Sequence, residues 1–137
     1  LGMAWLASAW LAALGPMAAT SLMAGCQDAR TVRLQQYVST GAMLYAARCE
    51  NCHGADGRGL AALVPPLAGN PSLAHEAATV CIIRRGRAGG PQPMPGAPDL
   101  TPDELARLTT YIRNAWGNEH GLTTVAAADS ALRACAR

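Results

Sequence analysis

The stretch Cys49-Glu50-Asn51-Cys52-His53 decides how the rest of the chain is interpreted. Two cysteines three positions apart, followed at once by a histidine, are typical of covalent attachment of a c-type haem. In that chemistry the thiols of Cys49 and Cys52 bond to the two haem vinyl groups, and His53 is held under the iron as its proximal ligand. One turn of helix from Cys49 onward brings the three side chains to one side.

Two other kinds of site use a similar pair of cysteines. A zinc site needs a second pair of ligands at short spacing, whereas Cys81 and Cys135 each stand alone. A thioredoxin-like redox pair needs a preceding strand, whereas the residues from Tyr37 to Arg48 have the pattern of a helix. We therefore expect one covalently attached haem c, with its iron, as the cofactor.

The composition agrees with a small domain built around such a group. The chain has 137 residues and no Phe, and aromatic residues make up 4% of it. Side chains alone would form a thin core, which a haem would fill as its largest apolar element. The chain has 11 basic and 9 acidic residues, which give it a formal net charge of +2. This balance does not indicate nucleic-acid binding, and no phosphate-binding glycine motif or other small-molecule substrate site is found.

The first part of the chain differs sharply from the rest. Residues 1–25 are apolar and uncharged, and they are long enough to span a bilayer of about 30 Å at about 1.5 Å per residue. This segment is either a signal sequence or a retained membrane anchor. The sequence Met23-Ala24-Gly25-Cys26 resembles a lipoprotein signal-peptidase box, in which cleavage would leave a lipidated Cys26. We favour a retained transmembrane helix, whose small residues suit packing against another such helix. Residues 26–35 are predicted to be a polar linker.

A helix predicted from Gln36 to Arg48 precedes the cysteine motif. Gly41 inside this helix costs about 1 kcal/mol relative to Ala, so it predicts a close helix crossing. A helix with this glycine and Tyr45 four residues later, followed by the haem motif, resembles the N-terminal helix of class I cytochrome c domains. The resemblance covers roughly residues 36–117. It implies an all-α class I cytochrome c fold, with short helices wrapped around one haem and the transmembrane or signal-like helix in front.

In the resembled family the glycine packs against a C-terminal helix, which we assign to Pro102 to Trp116. Thr101 is its expected N-cap, Glu104 completes a capping box, and Gly117 is expected to end the helix. Its apolar residues recur at helical spacing and are predicted to face the core. These residues are Leu105, Leu108, Tyr111 and Ile112.

The resemblance also implies roles for residues between the two helices. The carbonyl of Pro65 is expected to accept a hydrogen bond from His53, which would fix the imidazole tautomer. Leu67 is expected to pack on the haem ring. The alternative is that this proline-rich segment is an ordinary turn.

The sixth ligand is expected to be Met94. Prolines on both sides of it restrict the backbone, so the thioether would be presented on a rigid loop, and methionine with histidine is a known ligand pair of haem iron. His75, His120 and Met43 are the competing candidates. The two histidines are more simply explained as solvated surface groups.

Iron with both axial positions filled has no site for oxygen or a substrate, so we expect single-electron transfer rather than catalysis. The predicted protein is a membrane-anchored mono-haem subunit of a bacterial respiratory complex, with the haem domain on the periplasmic side. Its partners would be the membrane and other subunits or redox proteins. If Met94 does not bind the iron, the chain would instead be a gas or redox sensor or a peroxidase-like enzyme. A third alternative is a structural subunit whose haem mainly holds the fold.

Three further features leave alternatives open. The dense charge cluster of Arg84, Arg85 and Arg87 is either a docking or propionate-binding patch near the haem edge or a solvated loop. Cys81 and Cys135 are either joined in a disulfide or unlinked thiols. Residues 118–137 are predicted to be an extension beyond the cytochrome domain, with a short helix near Ala126 to Cys135.

Overall fold

The structure, a computed structural model, describes residues 28–135. Five helices and a pair of two-residue strands make up this part, together with a single 3-10 turn at Pro71–Ala74. In chain order the elements are α1 (Ala29–Arg48), α2 (Glu50–His53), α3 (Glu76–Arg85), β1 (Gly86–Arg87), β2 (Met94–Pro95), α4 (Pro102–Asn114) and α5 (Val125–Cys135). The expected helical architecture is therefore present, with a minimal antiparallel strand pair added to it.

The predicted transmembrane or signal segment, residues 1–25, lies outside the described residues. Among residues 28–135, no helix combines the length and the apolar character that a membrane span requires.

Helix α1 begins at Ala29 rather than at the predicted Gln36. The side chain of Asp28 causes this earlier start, because it accepts hydrogen bonds from the backbone N–H groups of Arg30 and Thr31, both at 2.9 Å. Both bonds lower the pKa of Asp28, and the bond from Thr31 has the larger effect. Residues 29–35, which the sequence assigned to a linker, are therefore helical and continuous with the predicted helix.

Helices α1 and α4 cross at Gly41, as the sequence predicted. Gly41 is buried, and a Cβ built on it would lie 2.7 Å from Cβ of Tyr111 and even closer to the carbonyl oxygen of Arg107. Arg107 strengthens the crossing, because its Nη1 donates to Oγ1 of Thr40 at 3.2 Å and its guanidinium lies 5.0 Å from the ring centroid of Tyr37. Only a residue without a side chain allows the two backbones to approach this closely.

The start of α4 matches its prediction, but its end does not. Thr101 and Glu104 form the expected capping box. The helix ends at Asn114 instead of Trp116, since Ala115 is extended and Trp116 has a φ of 54°. The indole of Trp116 is held elsewhere, with Nε1 donating to the carbonyl of Ala55 at 2.9 Å. A tertiary contact therefore ends this helix before the expected Gly117.

The core lies between α1, α3, α4 and α5 and contains the predicted apolar residues of α4. Leu105 and Leu108 are fully buried, Ile112 is nearly so, and Tyr111 packs against this core while partly exposed. The same core includes Ala128 and Ala131 of α5. The predicted short helix of the extension is thus confirmed, and it packs on the cytochrome domain.

A disulfide between Cys81 of α3 and Cys135 of α5 fastens the extension. The two Cα atoms are 5.7 Å apart, a separation that is usual for this bond. Of the two alternatives that the sequence left open, the structure therefore has the linked one. Helix α3, which carries Cys81, also carries Ile82 and Ile83 on the wall of the cavity described below.

Replacing Cys135 by serine is expected to lower the free energy of unfolding by about 2–4 kcal/mol, because the bond closes a long loop in the unfolded chain. The two cysteines are 54 positions apart. Denaturation by urea, followed by circular dichroism, measures this loss. The double variant Cys81→Ser/Cys135→Ser should lose no more than the single one, and dithiothreitol should destabilise only the unmodified chain. An unmodified chain that is insensitive to the reductant would contradict the prediction.

Candidate functional site

A cavity of about 720 Å³ opens between α2, α3 and the segments 61–67 and 87–95. Its walls are mostly apolar, and its volume is within the range of about 300–1,000 Å³ that is usual for cofactor sites. All six residues predicted from the sequence line it. They are Cys49, Cys52, His53, Pro65, Leu67 and Met94.

The cysteine motif forms the expected turn of helix. The backbone N–H groups of Cys52 and His53 donate to the carbonyl of Cys49 at 3.1 and 2.9 Å, which brings the three side chains to one side of the turn. Both cysteines are free thiols, Cys49 half-buried and Cys52 exposed. Burial raises the pKa of Cys49 to about 11, the opposite of the activated thiolate that a redox pair needs. The raised pKa of Cys49 therefore does not favour thiol exchange at this residue.

A cluster of aromatic side chains supports the cysteine motif. The buried phenol of Tyr45 donates to the carbonyl of Gly54, directly after α2, at 2.6 Å. Burial raises the pKa of Tyr45, so the phenol remains a proton donor. The rings of Tyr45, Tyr111 and Trp116 have centroids 5.0–5.4 Å apart. Through this cluster, the crossing of α1 and α4 fixes the position of the motif.

His53 is nearly buried, with 8% of its surface exposed. Burial lowers its pKa and so favours the neutral imidazole, which is the form that binds iron. Its Nδ1 atom is buried and has no hydrogen-bond partner in residues 28–135. The backbone of Pro65 acts in the opposite direction and raises the His53 pKa, and Pro65 lines the same cavity. The predicted hydrogen bond between the two residues does not reach full geometry here.

Met94 is half-buried and lines the same cavity from β2. Strand β2 pairs with β1, with Arg87 opposite Met94 and Gly86 opposite Pro95. Gly86 has a φ of 75°, and a Cβ on it would lie 2.6 Å from the backbone nitrogen of Gly96, so glycine permits this close approach. The end of α3 thus anchors the loop that presents the thioether.

The competing ligand candidates are separated by the structure. Met43 is 65% exposed, and neither Met43 nor His120 lines the cavity. His75 is exposed but does lie at the cavity wall, directly before α3. It therefore remains the one competitor to Met94 among these three.

The arginine cluster that the sequence singled out divides into different roles. Arg84 is half-buried and donates to the carbonyl of Leu100 at 2.7 Å and to that of Pro98. Arg85 is exposed, and Arg87 lies at the cavity wall. The three arginines therefore do not form a single patch, and Arg84 holds the segment between β2 and α4.

The charges on the cavity wall are of one sign. Arg48 and Arg87 line it, and no Asp or Glu within residues 28–135 does so. The guanidinium of Arg48 is already paired with Asp99, with Nη1 donating to Oδ1 at 3.2 Å. A haem carries two carboxylates on one edge, and the guanidinium of Arg87 suits them. An apolar chamber with two thiols, a neutral imidazole and a thioether on its walls is the donor set that a c-type haem requires.

Comparison with known proteins agrees with this donor set. The family of cytochrome c oxidase, cbb3-type, subunit III matches residues 36–112. The chain belongs to this family. It forms a helical cytochrome c-type domain, and its cofactor is a covalently bound c-type haem with its iron.

Curated relatives of this cytochrome c domain are subunits of two kinds of dehydrogenase. The cytochrome c subunit of the alcohol dehydrogenase (quinone) of Gluconacetobacter polyoxogenes is 37% identical over 103 residues, which are 68% of this chain and 22% of the relative. The gluconate 2-dehydrogenase cytochrome c subunit of Pantoea cypripedii is 33% identical over 105 residues, 69% of this chain and 24% of the relative. The chain thus spans less than a quarter of the length of these relatives.

Proposed function

We propose that this cytochrome c domain carries single electrons through its haem as part of a larger oxidoreductase complex, and that it is not itself an enzyme. One observation carries the proposal. His53 and Met94 both line one cavity, so the chain offers a residue for each axial position, and with both bound the iron has no open position for a substrate.

Each part of the cavity has a task in this function. When bound, the haem supplies one-electron chemistry at its iron. Cys49 and Cys52 anchor the ring, while His53 and Met94 complete the ligand set. The apolar walls exclude water, which favours a raised reduction potential together with the thioether. Arg87 would hold the carboxylate edge of the ring.

The dehydrogenase relatives support a more specific role. We infer that the domain receives electrons from a unit that oxidises an organic substrate or a quinol, and passes them to a further acceptor. Membranes containing the complex should show a reduced haem band after an alcohol or gluconate is added. If a quinol reduces the haem and neither the alcohol nor gluconate does so, the domain would instead be assigned to a quinol-oxidising complex.

A membrane location on the periplasmic side belongs to the same proposal. The uncharged residues 1–25 support an anchor there. The disulfide of Cys81 and Cys135 supports an oxidising compartment, in which such bonds persist. Fractionation of cells that produce the full chain tests this, because an anchored protein stays with membranes washed at high pH. Recovery in the soluble fraction would contradict anchoring.

The ligand set is tested by visible and near-infrared spectra of the purified full chain in both redox states. A thioether-to-iron charge-transfer band in the oxidised protein, and no shift when carbon monoxide is added to the reduced protein, are the expected results. A ready shift with carbon monoxide would mean an open sixth position. The sensor or peroxidase-like function would then replace electron transfer.

A further inference from the structure

A buried asparagine beyond α4 holds one wall of the haem cavity. Asn118 is 5% exposed, and its Nδ2 donates to the carbonyls of Leu67 and Ile112 at 3.0 and 3.1 Å. Its Oδ1 accepts from the backbone N–H of Gly69 at 3.0 Å. One side chain thus fastens the segment around Leu67 to the end of α4.

The same segment has a second attachment, on the side of the cysteine motif. The carbonyl of Gly57 accepts from the backbone N–H groups of Leu67 and Ala68 at 2.7 and 3.0 Å. The segment therefore lies between Gly57 and Asn118, and both attachments are made through its backbone. Pro65 is two residues before Leu67, so its carbonyl moves with this segment.

The position of that carbonyl matters because Pro65 and His53 line the same cavity. The Nδ1 atom of His53 is buried and has no hydrogen-bond partner in the described part of the chain. The Pro65 carbonyl lies close to Gly59, since a Cβ built there would be 2.9 Å from its oxygen, and the N–H of Gly59 donates to the carbonyl of His53 at 2.8 Å. A hydrogen bond from Nδ1–H to a carbonyl makes the imidazole a more basic ligand. A more basic ligand stabilises ferric iron relative to ferrous iron and lowers the reduction potential.

We propose that Asn118 is a positioning residue that sets the contact between the Pro65 carbonyl and His53, and through it the reduction potential of the haem. The inference rests on the ligand role of His53 in the function proposed above. Asn118 lies outside residues 36–112, which the family model matches. It belongs to the segment that the sequence assigned to an extension beyond the cytochrome domain.

The test compares Asn118→Ala with Asn114→Ala in the full chain with haem attached. Asn114 is a matched control, because it also makes two donated bonds and one accepted bond, to Thr110 and Gly121 only. Both variants are expected to lose stability. Only Asn118→Ala should also raise the reduction potential. Without Asn118 the Pro65 carbonyl is less firmly positioned, so it makes a weaker hydrogen bond with Nδ1–H of His53. Redox titration of the haem band measures the shift, and thermal unfolding measures the stability.

Asn118→Leu provides a second variant in case the alanine variant does not accumulate with haem. It has nearly the same size and adds no charge near the haem, while all three hydrogen bonds are lost. It should raise the potential as well. Equal potentials in the Asn118 and Asn114 variants, or failure of both Asn118 variants to take up haem, would overturn the proposal. The thioether-to-iron charge-transfer band of the unmodified protein tests the proposed His53 and Met94 ligand set separately. If this band is absent, the proposed electron-transfer function is refuted, whatever potentials the Asn118 variants have.

Discussion

Replacing Met94 by alanine will make the reduced protein bind carbon monoxide and will lower its reduction potential. The side chain lines, from β2, the cavity that His53 also lines. Without a thioether the sixth position becomes open, and the preference for ferrous iron that this soft ligand provides is lost. We expect a fall on the order of 0.1–0.3 V, within the roughly 0.8 V over which axial ligands set haem potentials. Redox titration and carbon monoxide difference spectra measure both effects.

Two variants serve as controls for this result. Met43→Ala makes the same chemical change at a side chain that is 65% exposed on α1, away from the cavity, and it should leave spectrum and potential unchanged. His75→Ala tests the one competitor that does line the cavity. If removing His75 opens the sixth position and removing Met94 does not, the assignment of Met94 as a ligand is wrong.

The parts of the fold that the sequence predicted correctly depend on neighbouring residues. The capping box of Thr101 and Glu104 is made within one helical turn, so spacing alone identifies it. The cysteine motif likewise folds through bonds to the carbonyl of Cys49. The helix crossing at Gly41 could be predicted because a glycine inside a helix lowers the stability of that helix, and the close approach of a second helix explains why glycine is present.

The predictions that failed depend on contacts between residues far apart in the chain. The end of α4 is set by a hydrogen bond from Trp116 to Ala55, 61 positions away. Arg84 looks like part of a charged surface cluster until its bonds to the carbonyls of Pro98 and Leu100 are known. Asn118 carried no signal, since its partners Leu67 and Gly69 lie about 50 positions before it. The early start of α1 is an exception, because Asp28 was a readable cap that we assigned to the linker.

The extension therefore belongs to the haem site although the family match ends before it. Asn118 holds the wall that carries Leu67, and the disulfide joins α5 to α3, which carries Ile82 and Ile83 on another wall. An apolar cofactor in a small domain needs walls that keep their position, because a small chain has few other core contacts. Among residues 118–135 none lines the cavity itself, so the extension supports its walls from outside.

Replacing Gly41 by alanine is expected to destabilise the domain, although helix propensity alone predicts the opposite. Alanine gains about 1 kcal/mol over glycine in a helix interior. The added methyl group would lie 2.7 Å from Cβ of Tyr111 and closer still to the backbone oxygen of Arg107. Backbone cannot move aside as a flexible side chain can, so α1 and α4 must separate. Because overpacking typically costs about 1–3 kcal/mol and occasionally more, and this contact involves backbone, we expect a net loss of about 2 kcal/mol.

The control for Gly41→Ala is Ser39→Ala, at an exposed position of the same helix. Both substitutions raise helix propensity, but only that at Gly41 introduces a contact with α4. Guanidinium denaturation followed at the haem band and by circular dichroism should therefore show a loss for Gly41→Ala and no loss for Ser39→Ala. Separation of the helices would also move Tyr111 away from Tyr45, whose phenol holds the cysteine motif at Gly54. A stabilised Gly41→Ala variant would mean that the two helices do not cross at this glycine in solution.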